Sequence, residues 1–179
     1  MINYKELVSR YCLENDFTIS LSFDMPSGYE DANAMYDDEK KSIFINLKVT
    51  GELKEYEQYF YLYHELRHAS QYNKPNEYDI SLVKSMDYVI MFNGICYKVI
   101  DGKYIMTHID GNEDFLLNAY LSQPYELDAN RYAYEVTKRK YGNIKELDEL
   151  LNMYMPKRIL SNKELSHIYK MIDINIESL

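Results

Sequence analysis

A pentapeptide in the first half of the chain combines two histidines and a glutamate, His64-Glu65-Leu66-Arg67-His68. It lies in a run from about Glu52 to Tyr72 in which apolar or aromatic residues recur every three or four positions, and this spacing predicts one long helix with a buried face. On such a helix His64 and His68 lie one turn apart on the same face, close enough to share a metal ion. Glu65 is rotated by about 100° and can reach a water bound to that ion. The pattern indicates the H-E-x-x-H zinc arrangement, with two ligands and a general base.

The pentapeptide also has a plainer interpretation, a polar stripe on a surface helix of an ordinary domain. A hydrolytic zinc site needs three protein ligands and an open position for water, so the rest of the chain must supply one more donor. After His68 the donors are carboxylates and three other side chains, Cys96, His108 and His167. His108 could bind substrate, but a lone histidine at a strand end is more commonly a surface residue. We expect His167, on a C-terminal helix, to be structural.

One carboxylate, Glu126, is distinguished by its context in the segment 122–133. Ser122 and Pro124 are typical of a helix start, and the amphipathic pattern continues to about Lys140. Glu126 lies in the first turn, where free backbone N–H groups favour the ionised carboxylate that a metal requires. Asn130, one turn later on the same face, could hydrogen-bond a metal-bound histidine or carboxylate and orient it. Taken alone, the segment favours an ordinary core helix with a solvated Glu126.

The two segments together resemble a known family. His64-Glu65-x-x-His68 followed by Glu126-x-x-Ala129-Asn130-x-Tyr132-Ala133 is similar to the pattern of the ImmA/IrrE group of gluzincin metallopeptidases, H-E-x-x-H followed by E-x-x-A-N-x-F-A. The residues at 34–36 and 43–46 resemble the strand pair that precedes that family's active helix. The resemblance covers about residues 34–136 and implies one Zn²⁺ per chain, bound by His64, His68 and Glu126, with Glu65 as the catalytic base. Residues 68–71 and 123–126 also resemble phage and mobile-element zincins.

The chain departs from the family pattern in three respects. Arg67 replaces the usual glycine of the pentapeptide, and the gap between His68 and Glu126 is long. The Leu-Leu-Met-Pro stretch that commonly closes the family's second helix is absent after Val136. These differences bear on the substrate more than on the metal.

The resemblance implies a zinc-dependent metallopeptidase that hydrolyses a peptide bond in a protein substrate, for which the family suggests a regulator or repressor. Glu65 would take a proton from the attacking water and pass it to the leaving amine. The developing oxyanion needs a further donor, and the candidates that stay open include Arg67, His108, Tyr125 and Tyr132. A second function class is also open, a non-catalytic, metal-stabilised module of phage or mobile-element origin that binds a protein partner.

Composition and charge reduce the number of function classes that remain open. The 179 residues suit a single domain, with 46% hydrophobic residues, 20 tyrosines and no tryptophan. The formal charge is -9, and no basic run exceeds Lys138-Arg139-Lys140, so we expect no direct contact with nucleic acid. No apolar stretch is typical of a signal peptide or a membrane span, and Cys12 and Cys96 are isolated. These features predict a cytoplasmic protein without a disulfide framework.

The predicted elements give an α+β fold of zincin-like type, a small antiparallel or mixed sheet packed on the active-site helix. Helices are predicted at about 4–13, 52–72, 124–140, 144–155 and 161–172, and strands at about 18–23, 34–36 and 42–48. By resemblance, one of these strands would pair with an extended peptide substrate. The acidic turn at 37–40 lacks the spaced ligands of a calcium loop, so we expect a solvated turn.

Two hairpin signals, Asn93-Gly94 and Asp101-Gly102, predict a three-stranded meander at about 87–108, inserted between the two zinc motifs. This insertion could form a flap over the site, or it could extend the sheet or pack over a helix. The pair of C-terminal helices at about 144–173 carries apolar stripes that could face the core or form a homodimer interface.

Overall fold

The computed structural model describes residues 1–178 and has an α+β fold. This confirms the α+β class predicted from the sequence, while the zincin-like type stays a prediction. Within this part of the chain there are eight α-helices and six strands. The helices are α1 Tyr4–Asn15, α2 Leu47–Thr50, α3 Glu55–Asn73, α4 Ile80–Met86, α5 Glu113–Leu121, α6 Pro124–Tyr141, α7 Lys145–Met153 and α8 Asn162–Glu177. The strands are β1 Ser20–Ser22, β2 Ala34–Asp37, β3 Ser42–Ile45, β4 Tyr88–Ile90, β5 Ile95–Ile100 and β6 Lys103–His108.

The chain forms two units. Unit 1 comprises Met1–Glu77 and Asp128–Leu151, and unit 2 comprises Tyr78–Leu127 and the described residues from Asn152 onward. The division falls within α6, so the first turn of this continuous helix is counted with unit 2 and the remainder with unit 1.

The sheet of unit 1 is mixed, as the sequence allowed, with β3 at its centre. β3 pairs in parallel with β1 and antiparallel with β2, with Met35 opposite Phe44. β2 lies against the end of α3, because the Asn73 side-chain amide donates to the Tyr36 hydroxyl at 3.0 Å. The sheet therefore packs on the helix that carries the pentapeptide.

The third predicted strand is shorter than the sequence suggested. We expected a strand over 42–48, but β3 ends at Ile45 because Asn46 begins the short helix α2. The Asn46 side-chain oxygen accepts from the Lys48 N–H at 3.2 Å, and its nitrogen donates to the carbonyl oxygens of Glu30 and Ala32. A side chain that binds its own backbone in this way favours a helix start over a continued strand.

Helix α3 is held in unit 1 by its apolar face and by a cluster of tyrosines. Phe60, Leu62 and Leu66 are at most 1% exposed. The Tyr63 ring lies with its centroid 4.4 Å from that of Tyr59, and other members of the cluster meet edge to face, including Tyr11 of α1 and Tyr63 at 6.0 Å. At the N-terminus of α3, the Lys54 N–H donates to the Glu57 carboxylate at 3.0 Å. These contacts fix which face of α3 is directed away from the core.

The predicted meander is present in unit 2 as a separate antiparallel sheet in the order β4-β5-β6. Asp101 and Gly102 both adopt positive φ, 50° and 72°, which is the two-residue turn that Asp-Gly favours. The first loop is one residue longer, because Met91 N–H bonds to the Ile95 carbonyl and only Gly94 has positive φ. The insertion therefore forms its own sheet and does not extend the sheet of unit 1.

The core of unit 2 combines this sheet with α5 and α8. Ile90, Cys96 and Ile109 are 0% exposed and belong to one apolar cluster with the inward face of α8, namely Leu165, Ile168, Tyr169 and Ile172. Helix α8 begins with the capping box expected at Ser161 and Glu164. In unit 1, Leu147 and Leu150 of α7 are also buried. The apolar stripe of α8 therefore faces a core, and a homodimer interface stays a prediction.

Like α2, the helices α4 and α5 were not expected from the sequence. Helix α4 has 7 residues and α5 has 9, so neither is long enough for a three-and-four pattern to be distinguished from chance. The start of α5 does carry a local signal, since the Asn112 side chain accepts from the Phe115 N–H at 2.8 Å. Within residues 1–178, none of the helices has both the length and the apolar character needed to cross a bilayer.

Candidate metal centre

Three side chains that the sequence singled out lie together. One donor atom from each of His64, His68 and Glu126 falls within 4.8 Å of the others. His64 and His68 come from α3, and Glu126 comes from the first turn of α6. His68 and Glu126 are 8% and 6% exposed, and His64 is half-buried. This group could hold a metal ion.

The two imidazoles are directed at a common point. Their rings lie 4.5 Å apart at 88° to each other, and the two Nε2 atoms are 2.9 Å apart. Two nitrogens that bind one tetrahedral Zn²⁺ at ordinary bond lengths are separated by about 3.3 Å. The rings therefore need to move apart by only a few tenths of an ångström, and the observed arrangement fits a shared ion.

The position of Glu126 favours the charge that a ligand must carry. Pro124 is the first residue of α6, and Glu126 is the acidic residue of its first turn. Backbone N–H groups at a helix start lack partners within the helix and stabilise a carboxylate there. A buried carboxylate beside two imidazoles completes a set of two nitrogens and one oxygen, which is a donor set that zinc binds.

Glu65 follows His64 directly on α3 and is only 9% exposed. A step of one residue rotates the side chain by about 100° around the helix axis. Glu65 is therefore not a member of the three-donor group but lies next to it. Its burial excludes the interpretation of the pentapeptide as a solvated surface stripe.

A chain of hydrogen bonds connects His68 to α6. The His68 Nδ1 and the Gln71 Oε1 are 2.9 Å apart, and the Gln71 Nε2 donates to the Asp128 Oδ2 at 2.8 Å. Arg67 donates to the same carboxylate twice, from Nε at 2.7 Å and from Nη2 at 3.0 Å. The Arg67 guanidinium also lies 4.6 Å from the centre of the Tyr132 ring. We call His68, Gln71, Asp128 and Arg67 the relay.

Sequence reasoning did not find Gln71 or Asp128. A signal was present, because Gln71 lies three residues after His68 on the same helical face and is 0% exposed. It did find Arg67, as a departure from the family pattern, but proposed it only as an oxyanion donor. The structure gives Arg67 a partner, Asp128, and stacks it on Tyr132.

Other predicted residues occupy well-defined positions. Asn130 is 1% exposed and lies one turn after Glu126 on α6, where its role in orienting a ligand stays a prediction. Tyr125 is buried. Tyr132 is hydrogen-bonded to Tyr11, and burial raises the pKa of its phenol. The role of either tyrosine toward an oxyanion also stays a prediction.

The two remaining histidines are not part of the three-donor group. His108 is exposed at the end of β6, and its Nδ1 lies 3.6 Å from the Asp110 carboxylate. His167 is exposed on α8. His108 lies at the surface, as expected, and the structural role expected for His167 stays a prediction.

Comparisons with protein-family models, with curated proteins and with solved structures found no match to this chain. The resemblance to a metallopeptidase family therefore stays a prediction.

Proposed function

We propose that this protein is a zinc-dependent metallopeptidase of the gluzincin type, with one Zn²⁺ per chain, that hydrolyses a peptide bond in a protein substrate. One observation carries the proposal: the donor atoms of His64, His68 and Glu126 lie within 4.8 Å of one another. The buried Glu65 directly follows the first of these ligands. Two histidines one helical turn apart, a distant glutamate and an adjacent general base are what this chemistry requires.

Each residue has a separate task in the proposed reaction. His64, His68 and Glu126 would hold the ion, which when bound supplies a Lewis acid and lowers the pKa of water to ~7. Glu65, as a carboxylate, would accept one proton from the attacking water as the new C–O bond forms. It would then give that proton to the amine nitrogen as the C–N bond breaks, so that it ends the cycle unchanged.

The likeness of the two motifs to the ImmA/IrrE pattern supports membership of that group, a zincin-like fold and a substrate that is a regulatory protein. The mixed sheet packed on α3 is compatible with this assignment. The sign of the net charge, -9, favours a protein or peptide substrate over nucleic acid.

The first test is the zinc content of the purified protein, measured by elemental analysis after incubation with excess Zn²⁺ and removal of the free metal. We expect about one zinc per chain, with loss of the metal in His64→Ala and in Glu126→Ala. The matched controls are His167→Ala and Glu135→Ala, which change exposed residues of the same types elsewhere. A wild-type protein that retains no zinc would overturn the proposal.

The second test separates catalysis from binding. The zinc-loaded protein is incubated with a peptide library, and new termini are identified by mass spectrometry. Glu65→Gln should keep the zinc and lose hydrolysis by at least about 100-fold, because proton transfer contributes roughly that much. Zinc bound at full stoichiometry without hydrolysis in either form would favour the non-catalytic binding module.

A further inference from the structure

We propose that Gln71 and Asp128 are positioning residues for the metal ligand His68, and that Arg67 fixes Asp128 in this role. The relay selects which nitrogen of His68 carries the proton and which presents its lone pair to the metal. The purpose of this role, to orient a zinc ligand, rests on the proposed function. The hydrogen-bond pattern of His68 can be measured whether or not the protein binds zinc.

The donor-to-acceptor direction of the hydrogen bonds in the relay follows from the carboxylate of Asp128. An ionised carboxylate accepts hydrogen bonds and cannot donate them. Asp128 already accepts from Arg67, and Gln71 is held 2.8 Å from its Oδ2. Gln71 must therefore present its amide NH₂ to Asp128 and its carbonyl oxygen in the opposite direction.

That orientation determines the state of His68. The Gln71 Oε1, which can only accept, lies 2.9 Å from the His68 Nδ1. His68 must therefore carry its proton on Nδ1, so the lone pair is on Nε2. Nε2 is the atom that lies 2.9 Å from the Nε2 of His64. The relay thus directs the lone pair of His68 to the candidate metal centre before any metal binds.

Arg67 makes the arrangement rigid. Its two hydrogen bonds to Asp128, at 2.7 and 3.0 Å, set the plane of the carboxylate, and its stacking on Tyr132 adds a contact one turn further along α6. Arg67 and Asp128 are 24% and 27% exposed, so solvent competes only in part with this pair. A glycine at position 67, as in the resembled family, would leave Asp128 without these donors.

The sharpest test exchanges the two partners. In Asp128→Leu the acceptor for Gln71 is removed, so Gln71 can turn its carbonyl oxygen to the Arg67 guanidinium and its NH₂ to His68, and the wrong tautomer is favoured. The double variant Gln71→Glu/Asp128→Asn restores the pattern, because the new carboxylate accepts from His68 and from the new amide. The exchange keeps the net charge of the pair and nearly keeps its volume.

Two measurements follow on wild type, Asp128→Leu and the double variant. The Kd for Zn²⁺ is measured by competition with a chromophoric chelator, and the His68 tautomer of the metal-free protein by long-range ¹H–¹⁵N NMR. We expect Asp128→Leu to weaken zinc binding by about 10–100-fold and to reduce the Nδ1–H tautomer of His68. The double variant should recover most of both. The matched control is Glu164→Gln, which breaks another doubly hydrogen-bonded arginine pair, Arg158–Glu164, and should leave both measurements unchanged.

The results distinguish the positioning role from the proposed function. If the wild type binds no zinc, the proposed function fails, but the tautomer measurement still decides the positioning role. A His68 tautomer that is the same in wild type and in Asp128→Leu would overturn it. So would a double variant that binds zinc as weakly as the single variant does.

Discussion

The side-chain amide of Gln123 pairs with the backbone of Ile90 in the way that a neighbouring strand would. Its Oε1 accepts from the Ile90 N–H at 3.2 Å, and its Nε2 donates to the Ile90 carbonyl at 3.1 Å. Both residues are 0% exposed. Because Gln123 immediately precedes α6, this pairing also fixes the start of the helix whose first turn carries Glu126.

We expect Gln123→Met to lower the free energy of unfolding by about 2–4 kcal/mol. The substitution keeps the volume of the side chain but leaves a buried N–H and a buried carbonyl of Ile90 without their partner. Urea denaturation followed by circular dichroism measures the change. Lys163→Met, at an exposed position of α8, is the control and should change stability by no more than about 0.5 kcal/mol. Equal effects of the two substitutions would show that the Gln123 amide contributes little.

Zinc should stabilise the folded protein in a way that depends on all three donors. A ligand that binds only the folded state adds about 2.7 kcal/mol to the free energy of unfolding when its free concentration is 100 times its Kd. Thermal unfolding with and without Zn²⁺ measures this effect without any assay of catalysis. We expect a rise in Tm for wild type and for His167→Ala, and none for His64→Ala or Glu126→Ala. A rise that persists in Glu126→Ala would remove that residue from the ligand set.

The pair of Lys98 and Asp173 in unit 2 should be coupled more strongly than a surface pair. The Lys98 ammonium lies 2.5 Å from the Asp173 carboxylate and 5.2 Å from the centre of the Tyr88 ring, which itself stacks on Tyr169. A double-mutant cycle with Lys98→Met and Asp173→Asn should give about 1 kcal/mol of coupling.

The control cycle uses Lys145 and Glu149, one turn apart on α7, whose side chains are 86% and 58% exposed. We expect about 0.3–0.5 kcal/mol there, because solvent screens the pair. Coupling energies of the same size in the two cycles would mean that partial burial and the aromatic contact add nothing.

Cys96 should be unreactive while unit 2 is folded. The thiol is 0% exposed, and burial raises its pKa to about 12. In a Cys12→Ser background, we expect alkylation of Cys96 at pH 8 to be slower in the folded protein than in urea by more than about 100-fold, because reaction requires opening of the core. Rapid alkylation under native conditions would show that the cluster around Cys96 opens easily.

The same pKa shift gives a sign for the pH dependence of stability. An unfolded cysteine loses its proton near pH 8.5, whereas the folded protein keeps it up to about pH 12. Between these values the unfolded state binds fewer protons, so the free energy of unfolding falls as the pH rises. Cys96→Ala should reduce that fall, measured as the difference in denaturation midpoint between pH 8.5 and pH 10.5. An unchanged slope would assign the pH dependence to other groups.

Elements whose signals are local could be predicted from the sequence. Helix α3, the capping box at Ser161 and the Asp101-Gly102 turn all depend on residues a few positions apart, and each is present. The parallel pairing of β1 with β3 was not predicted, because it depends on how distant segments meet. Strand β1 has 3 residues, too few for its pattern to identify a partner.

In the candidate site too, local features could be predicted from the sequence, whereas contacts between distant segments could not. The four-residue spacing of His64 and His68 predicts that both side chains lie on one face of the helix. The position of Glu126 at a helix start predicts that its carboxylate is ionised. The relay could not be foreseen, because Gln71 and Asp128 are separated by 57 positions and nothing local pairs them. What the sequence did offer was a polar side chain, Gln71, on the predicted buried face of a helix. A buried amide must be hydrogen-bonded, so its partner was worth seeking.

The bond between Arg67 and Asp128 joins positions that are 61 residues apart, and the whole meander with its flanking helices α4 and α5 lies between them. Closing a loop of that length costs conformational entropy before any contact at its ends can compensate. We therefore expect the three donors to come together late in folding, after α3 has formed. Zinc should accordingly slow unfolding and leave the refolding rate unchanged. The metal then stabilises the folded chain but does not nucleate its folding.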